Sequence, residues 1–202
     1  METVFVNVEK CIGCRHCELA CARVHARDNK PFSGLTDLRE PRINVGTGVD
    51  FIAFPNRCRH CDPAPCLQIC PSGAIYKDEE TGAVLINENR CISCAMCAMV
   101  CPFNAISFYP VSGMDHEVAY KCDDCIDRQK NDKIPACVDA CKTNALVFGD
   151  INGILDDREQ GFIRKFTEDL KGMPRSDLPD NIRAFKAIKQ KVAQLGPMPS
   201  SN

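Results

Sequence analysis

The sequence predicts an α+β chain built on a short repeated unit: strand, cysteine loop, helical turn, strand. A helical extension over residues 151–202 follows. Three observations carry this expectation. Sixteen of the 202 residues are cysteine, in four groups of four with none left over. Two short segments recur along the chain with the same residue types in the same places. After Gly149 the cysteines stop and apolar residues take up helical spacing.

The first group is Cys11, Cys14, Cys17 and Cys21; the second is Cys58, Cys61, Cys66 and Cys70. The third is Cys91, Cys94, Cys97 and Cys101; the fourth is Cys122, Cys125, Cys137 and Cys141. A disulfide framework suits small secreted chains. The opening residues 1–6 show no basic run, long apolar run or twin arginine, so a cytoplasmic setting with reduced thiols is expected. Structural zinc is the stronger rival, because Zn²⁺ takes four thiolates at C-x2-C spacing. Zinc sites, however, commonly pair two such knuckles across a longer interval. The third group instead reads C-x2-C-x2-C-x3-C followed by Pro102, the bacterial iron–sulfur run. Each cubane cluster needs four thiolates, so all sixteen cysteines are expected to be metal ligands of four [4Fe–4S] clusters.

Composition narrows the function. A net charge of −2 gives no basic field to attract nucleic acid. Trp is absent and aromatics are 6%, which argues against stacking platforms for single strands. No stretch approaches the ~18–20 apolar residues of a membrane span. There is no nucleophile elbow, dinucleotide fingerprint or phosphate loop, so no catalytic residue is expected.

The repeats define the unit. Val6-Asn7-Val8-Glu9-Lys10-Cys11-Ile12-Gly13-Cys14 matches Ile86-Asn87-Glu88-Asn89-Arg90-Cys91-Ile92-Ser93-Cys94. In both, a short strand feeds a cysteine loop, with Gly13 or Ser93 small enough for backbone amides to approach a cluster. A second repeat follows three groups: Cys70-Pro-Ser-Gly-Ala-Ile, Cys101-Pro-Phe-Asn-Ala-Ile and Cys141-Lys-Thr-Asn-Ala-Leu. Pro71 and Pro102 end a helical turn, Gly73 or Asn104 turns the chain, and a short apolar strand begins. Used twice, this unit makes a bacterial two-cluster ferredoxin, in which the fourth cysteine of each run ligates the other cluster.

Residues 11–21, 58–71, 91–102 and 122–141 together resemble the four-cluster iron–sulfur subunits of the dimethyl sulfoxide reductase family. They are also similar to electron-transfer proteins serving formate dehydrogenases, hydrogenases, carbon monoxide dehydrogenase and tungsten aldehyde oxidoreductases. The combination of C-x2-C-x4-C-x3-C-P and C-x2-C-x11-C-x3-C carries the resemblance, which covers residues 1 to about 150. It departs at Ala22 and Lys142, where a proline would follow the last cysteine.

The resemblance implies nested pairing. Cluster 1 would take Cys11, Cys14, Cys17 and Cys141; cluster 2 would take Cys58, Cys61, Cys66 and Cys101. Cluster 3 would take Cys91, Cys94, Cys97 and Cys70; cluster 4 would take Cys122, Cys125, Cys137 and Cys21. The fold would be two ferredoxin lobes, an inner one at 51–118 inserted in an outer one at 1–50 and 119–150. The implied function is an electron-transfer subunit with no chemistry of its own, working between a large catalytic oxidoreductase subunit and a second redox protein. A free diffusible polyferredoxin and a structural zinc protein are the alternatives.

Several neighbours of the cysteines carry charge. Asp123 and Asp124 would depress a nearby cluster's potential, yet the simpler expectation is that they face water. Arg15, His16, Arg57, Arg59 and His60 would raise a potential or rim a docking face, and taken singly each is most simply solvated. His16, His25, His60 and His116 are not expected to ligate metal, because the cysteine set is complete. Met96 and Met99 are expected to pack in the core. Asp62-Pro63-Ala64-Pro65 stiffens the interval before Cys66.

In the extension, a helix is expected over 156–171, with Phe162, Ile163, Phe166 and Leu170 at helical spacing and Gly172 and Pro174 closing it. A second is expected over 179–195, with Ile182, Phe185, Ile188, Val192 and Leu195 on one face and Pro197 and Pro199 after it. These helices either pack on the lobes or serve docking or self-association.

Overall fold

Each strand of this chain finds a single partner, and no sheet exceeds two strands among the described residues. The computed structural model describes residues 2–26, 41–111, 113–174, 178 and 180–194. It divides into two units, Met1–Ile151 and Asn152–Asn202.

In chain order the first unit holds β1 (Glu2–Val6), α1 (His16–Val24), β2 (Ile43–Thr47), β3 (Ala53–Arg57), α2 (Pro65–Gln68), β4 (Ile75–Lys77) and β5 (Val84–Ile86). It continues with α3 (Met96–Met99), β6 (Ser107–Pro110), β7 (Glu117–Tyr120), α4 (Ile126–Gln129), α5 (Ala136–Asp139) and β8 (Leu146–Asp150). All pairs are antiparallel. β1 runs along β8 with Glu2 opposite Asp150 and Val6 opposite Leu146. β2 pairs β3 from Ile43–Arg57 to Thr47–Ala53. β4 pairs β5 from Ile75–Ile86 to Lys77–Val84, and β6 pairs β7 from Ser107–Tyr120 to Pro110–Glu117. Two-stranded ribbons are marginal alone in water, so their stability must come from what they cover.

The sequence repeats become repeated hydrogen bonding. Asn7 and Asn87 each open a 3-10 turn, Val8–Lys10 and Glu88–Arg90, and each side-chain oxygen accepts from the amide two residues on. Their own amides reach across the chain: Asn7 donates to the Ala145 carbonyl at 2.7 Å and Asn87 to that of Ala74 at 2.8 Å. The first repeat is thereby tied to the second, in two matching places. After the helical turns, Gly73, Asn104 and Asn144 all take positive φ, and their amides donate to the carbonyls of Cys70, Cys101 and Cys141. Asn tolerates this left-handed region where other side chains resist it.

Two cores result. In one, Val4, Ile43, Val45, Ala53 and Leu146 pack with Cys17, Cys21 and Cys137, with Cys11 and Cys141 at its edge. In the other, Ala64, Ile75, Val84, Ile106 and Ala119 pack with Cys97, with Cys66, Cys70, Cys91 and Cys101 at its edge. The helices follow the same division: α1 lies against α5, and α2 against α3. Met99 corrects the expectation of core packing. It is 74% exposed, because the helical turn carrying it sends Cys97 inward and Met99 outward.

The second unit is helical. α6 (Ile151–Gly172) starts directly after β8, ahead of the expected position, and α7 covers Asp180–Gln194. Leu170 and Leu178 are buried, whereas Phe162, Ile163, Phe166, Phe185 and Ile188 are exposed. Leu195, Pro197 and Pro199 lie outside the described residues. No described helix is long and apolar enough to cross a membrane.

Candidate metal centres

The local backbone around the cysteines is set by one device used four times. In the first C-x-x-C of each group the residue before the second cysteine has positive φ: Gly13 at 69°, His60 at 47°, Ser93 at 58° and Asp124 at 60°. Such a turn aims consecutive amides into the loop, making a concavity that favours anions. The His60 amide donates to Cys58 Sγ and the Asp124 amide to Cys122 Sγ, each at 3.4 Å. Further amides reach other sulfurs: Arg42 to Cys21 at 3.3 Å, Ala119 to Cys91 at 3.4 Å and Ala105 to Cys101 at 3.5 Å. Amides that donate to sulfur favour the thiolate, the form that binds metal.

The cysteines converge in a definite way. One cavity is lined by Cys91, Cys94, Cys97 and Cys70, with Ile75, Ile86 and Phe108 closing it. A second is lined by Cys58, Cys61, Cys66 and Cys101, with Val84, Ile106, His60 and Lys121. Each thus joins three cysteines of one group to the last cysteine of the other. Among the remaining eight, Cys21 is buried beside Cys122, Cys137 and Cys125, and Cys17 lies near Cys14 and Cys137. Cys11 and Cys141 border the same core.

All sixteen cysteines are free thiols. Burial pushes Cys17 and Cys125 up to about 11, and it drives Cys137 and Cys21 well above the ordinary range, with Cys122 adding to both. Burial raises Cys58, Cys66 and Cys97 as well. Cys70 and Cys141 go the other way. Burial would raise each, but Ser72 and the amides through Ile75 lower Cys70, and Leu146, Thr143 and Ala145 lower Cys141. A buried set of four thiolates is untenable without a compensating cation, and bound metal deprotonates such thiols outright.

The flanking polar residues overturn three expectations. Asp124 is buried rather than solvated, and its partner is Arg57. Arg57 and His60 are likewise buried, because β3 delivers them inward at the point where it meets the second cysteine loop. Asp123 is half-buried between Arg42 at 2.5 Å and His25 at 3.4 Å. Arg59 lies half-buried over the rings of Phe54 and Phe103. Arg15 and His16 are exposed. His116 bonds Asp115 and the Cys91 carbonyl, each at 2.9 Å.

Two buried polar atoms lack a partner among the described residues, Arg57 Nε and His60 Nε2. The Val84 amide donates to His60 Nδ1 at 2.9 Å, so the imidazole proton sits on Nε2 and both orphans are donors. Buried donors demand acceptors. Iron-bound sulfur would offer such acceptors, and His60 lines one of the cysteine cavities, so the residues present fit an iron–sulfur cluster on donor chemistry as well as on thiolate count.

The comparisons agree. Residues 49–151 match the family model described as a 4Fe-4S dicluster domain. The Haemophilus influenzae protein described as "Protein NrfC homolog" is 39% identical over 143 residues, which is 70% of this chain and 61% of the relative. The Escherichia coli "Electron transport protein HydN" is 39% identical over 161 residues, 74% of this chain and 88% of its own. An "Iron-sulfur protein" of Rhodospirillum rubrum is 37% identical over 158 residues, 74% and 82% respectively. The chain spans about 61% of the length of the NrfC-type relative.

Proposed function

The chain belongs to the 4Fe-4S dicluster domain family, and from that premise we propose that it is an electron-transfer subunit carrying four [4Fe–4S] clusters. The observation that carries the proposal is the pair of cysteine cavities, each combining three cysteines of one group with the last of another. The similarity to an electron transport protein over 88% of that protein's length supports the role.

The proposed ligand sets are those of nested pairing. Cys58, Cys61, Cys66 and Cys101 hold one inner cluster, and Cys91, Cys94, Cys97 and Cys70 hold the other. Cys11, Cys14, Cys17 and Cys141 hold one outer cluster, and Cys122, Cys125, Cys137 and Cys21 hold its partner. The two cores and the ties from Asn7 to Ala145 and Asn87 to Ala74 support this division. On this reading the inner lobe, 51–118, is an insertion in the outer. Bound clusters supply one-electron exchange. The chain's own residues hold the thiolates, donate amides to sulfur and exclude water from the cavities. Its partners are a large catalytic oxidoreductase subunit, of the molybdenum or tungsten, carbon monoxide dehydrogenase or hydrogenase type, and a second redox protein.

Anaerobic reconstitution tests the cofactor content: about sixteen iron and sixteen sulfide per chain are expected, four of each per set of four thiolates. Half that content would refute four clusters. The exposed Phe162, Phe166, Phe185 and Ile188 support a docking or self-association role for the extension. Truncation after Gly172 that changed neither particle mass nor partner retention would refute it.

A further inference from the structure

Four polar side chains are buried between the cysteines of the second and fourth groups, and metal ligation uses none of them. Arg57 is 2% exposed, Lys121 4%, His60 6% and Asp124 6%. Arg57 donates to the Val4 carbonyl at 3.1 Å, ion-pairs with Asp124 and approaches Cys122 Sγ at 3.7 Å. Lys121 donates to the carbonyls of Val84 and Cys122, and it lines the cavity that holds Cys58, Cys61, Cys66 and Cys101. One atom each of His60, Cys122 and Asp124 lie within 4.8 Å of one another. The junction therefore touches both cysteine sets.

Its charges do not cancel. Two cations, Arg57 and Lys121, face one carboxylate, Asp124, and among the described residues the hydrogen-bond partners of Lys121 Nζ are the carbonyl oxygens of Val84 and Cys122. Burying a cation without an opposite charge is costly, and apolar residues of similar volume often serve a core as well or better. The anions that would offset it are the thiolate-ligated clusters on either side. In a buried, low-dielectric setting a nearby positive charge favours the state holding an extra electron.

We propose that Lys121, Arg57 and Asp124 form a buried charge set that fixes reduction potentials across this junction. Lys121 raises the potential of the cluster held by Cys58, Cys61, Cys66 and Cys101. Arg57 raises that of the cluster held by the fourth group, and Asp124 offsets Arg57 there. These are positioning residues that act through field and hydrogen bond, not ligands. The inference rests on the cluster reading above.

The test is a potentiometric titration of the reconstituted full-length chain, followed by electron paramagnetic resonance, beside Lys121→Met, Lys121→Arg and Asp124→Asn. With iron content matched, Lys121→Met is expected to move one reduction wave to lower potential, and Lys121→Arg to leave it near the parent's position. Asp124→Asn is expected to move a different wave upward. A Lys121→Met titration that superimposes on the parent's overturns the proposal, as does a shift of the same sign and the same wave in Lys121→Met and Asp124→Asn. Should Lys121→Met fail to take up iron, Asp124→Asn decides: an upward shift supports the charge set and no shift overturns it. A parent chain without iron overturns the cluster reading and this inference with it, whereas normal iron with unmoved waves overturns this inference alone.

Discussion

The backbone N–H of Val84 donates to Nδ1 of His60 at 2.9 Å, and this bond decides which nitrogen of a buried imidazole carries its proton. Burial first, then the charges of Lys121 and Arg57, push the His60 pKa down to about 2. The unfolded chain, with an ordinary value of ~6.5, therefore binds a proton that the folded chain refuses. The stability this group contributes is complete above the unfolded value and is lost as pH falls below it. Melting followed by circular dichroism is expected to show a declining midpoint from about pH 7 to about pH 5. His60→Asn, whose carboxamide oxygen can accept from Val84, is expected to flatten that decline. An unchanged slope would sink the assignment.

Asn7 and Asn87 act as matching caps, accepting from Glu9 at 3.2 Å and Asn89 at 3.1 Å. Substituting either by Ala is expected to cost about 1 kcal/mol, the usual value of a lost cap. Asn7→Ser and Asn87→Ser should recover most of it. Denaturant unfolding measures this, and a neutral alanine variant would contradict it.

Gly13 sits at φ 69°, where an added Cβ would stand 3.3 Å from the Ala53 side chain. Gly13→Ala is expected to destabilise by about 1–2 kcal/mol through left-handed strain alone, with the contact adding to it. Ser93 occupies the corresponding turn with a Cβ already in place, and its hydroxyl donates to the Glu117 carbonyl at 2.6 Å. Ser93→Ala should cost only about 1 kcal/mol, one hydrogen bond. The reverse ranking in unfolding experiments would refute the argument.

Cys21 stands in the first group by sequence but beside Cys122, Cys137 and Cys125 in space. The proposed ligand sets then assign opposite outcomes to two neighbouring thiols. Cys21→Ala should disturb the resonance signal of the fourth group's cluster, and Cys17→Ala that of the first. Loss of the same signal in both would show the pairing to be wrong.

Much of this site can be read directly in the sequence because its decisive contacts are local. Three thiols within seven residues have few ways to meet a metal, and the duplicated Val6–Cys14 and Ile86–Cys94 segments fold to the same cap and turn. The left-handed residue before each second cysteine was visible at Gly13, where glycine announces it. It was hidden at His60 and Asp124, whose side chains suggest nothing about φ. The β2–β3 ribbon was equally hidden, since Pro55, which stands opposite Val45, argues against a strand. The burial of Arg57 and Asp124 is a long-range pairing. Charge adjacent to a cysteine gives no hint of which side faces water, and only the meeting of β3 with the fourth group reveals it.

The pairing of β1 with β8 has a consequence for biosynthesis. Val6 meets Leu146 and Glu2 meets Asp150, so the first strand made must wait for almost the last of its unit. Translation proceeds at ~5–20 residues per second, and domains fold as their segments emerge. The ribbons and cysteine loops between residues 53 and 120 can form while β1 is still unpartnered on the nascent chain. Ribosome-bound chains arrested once residue 120 has cleared the exit tunnel, with β8 still inside it, should accordingly accept iron at the second and third groups, before any strand has closed over the first.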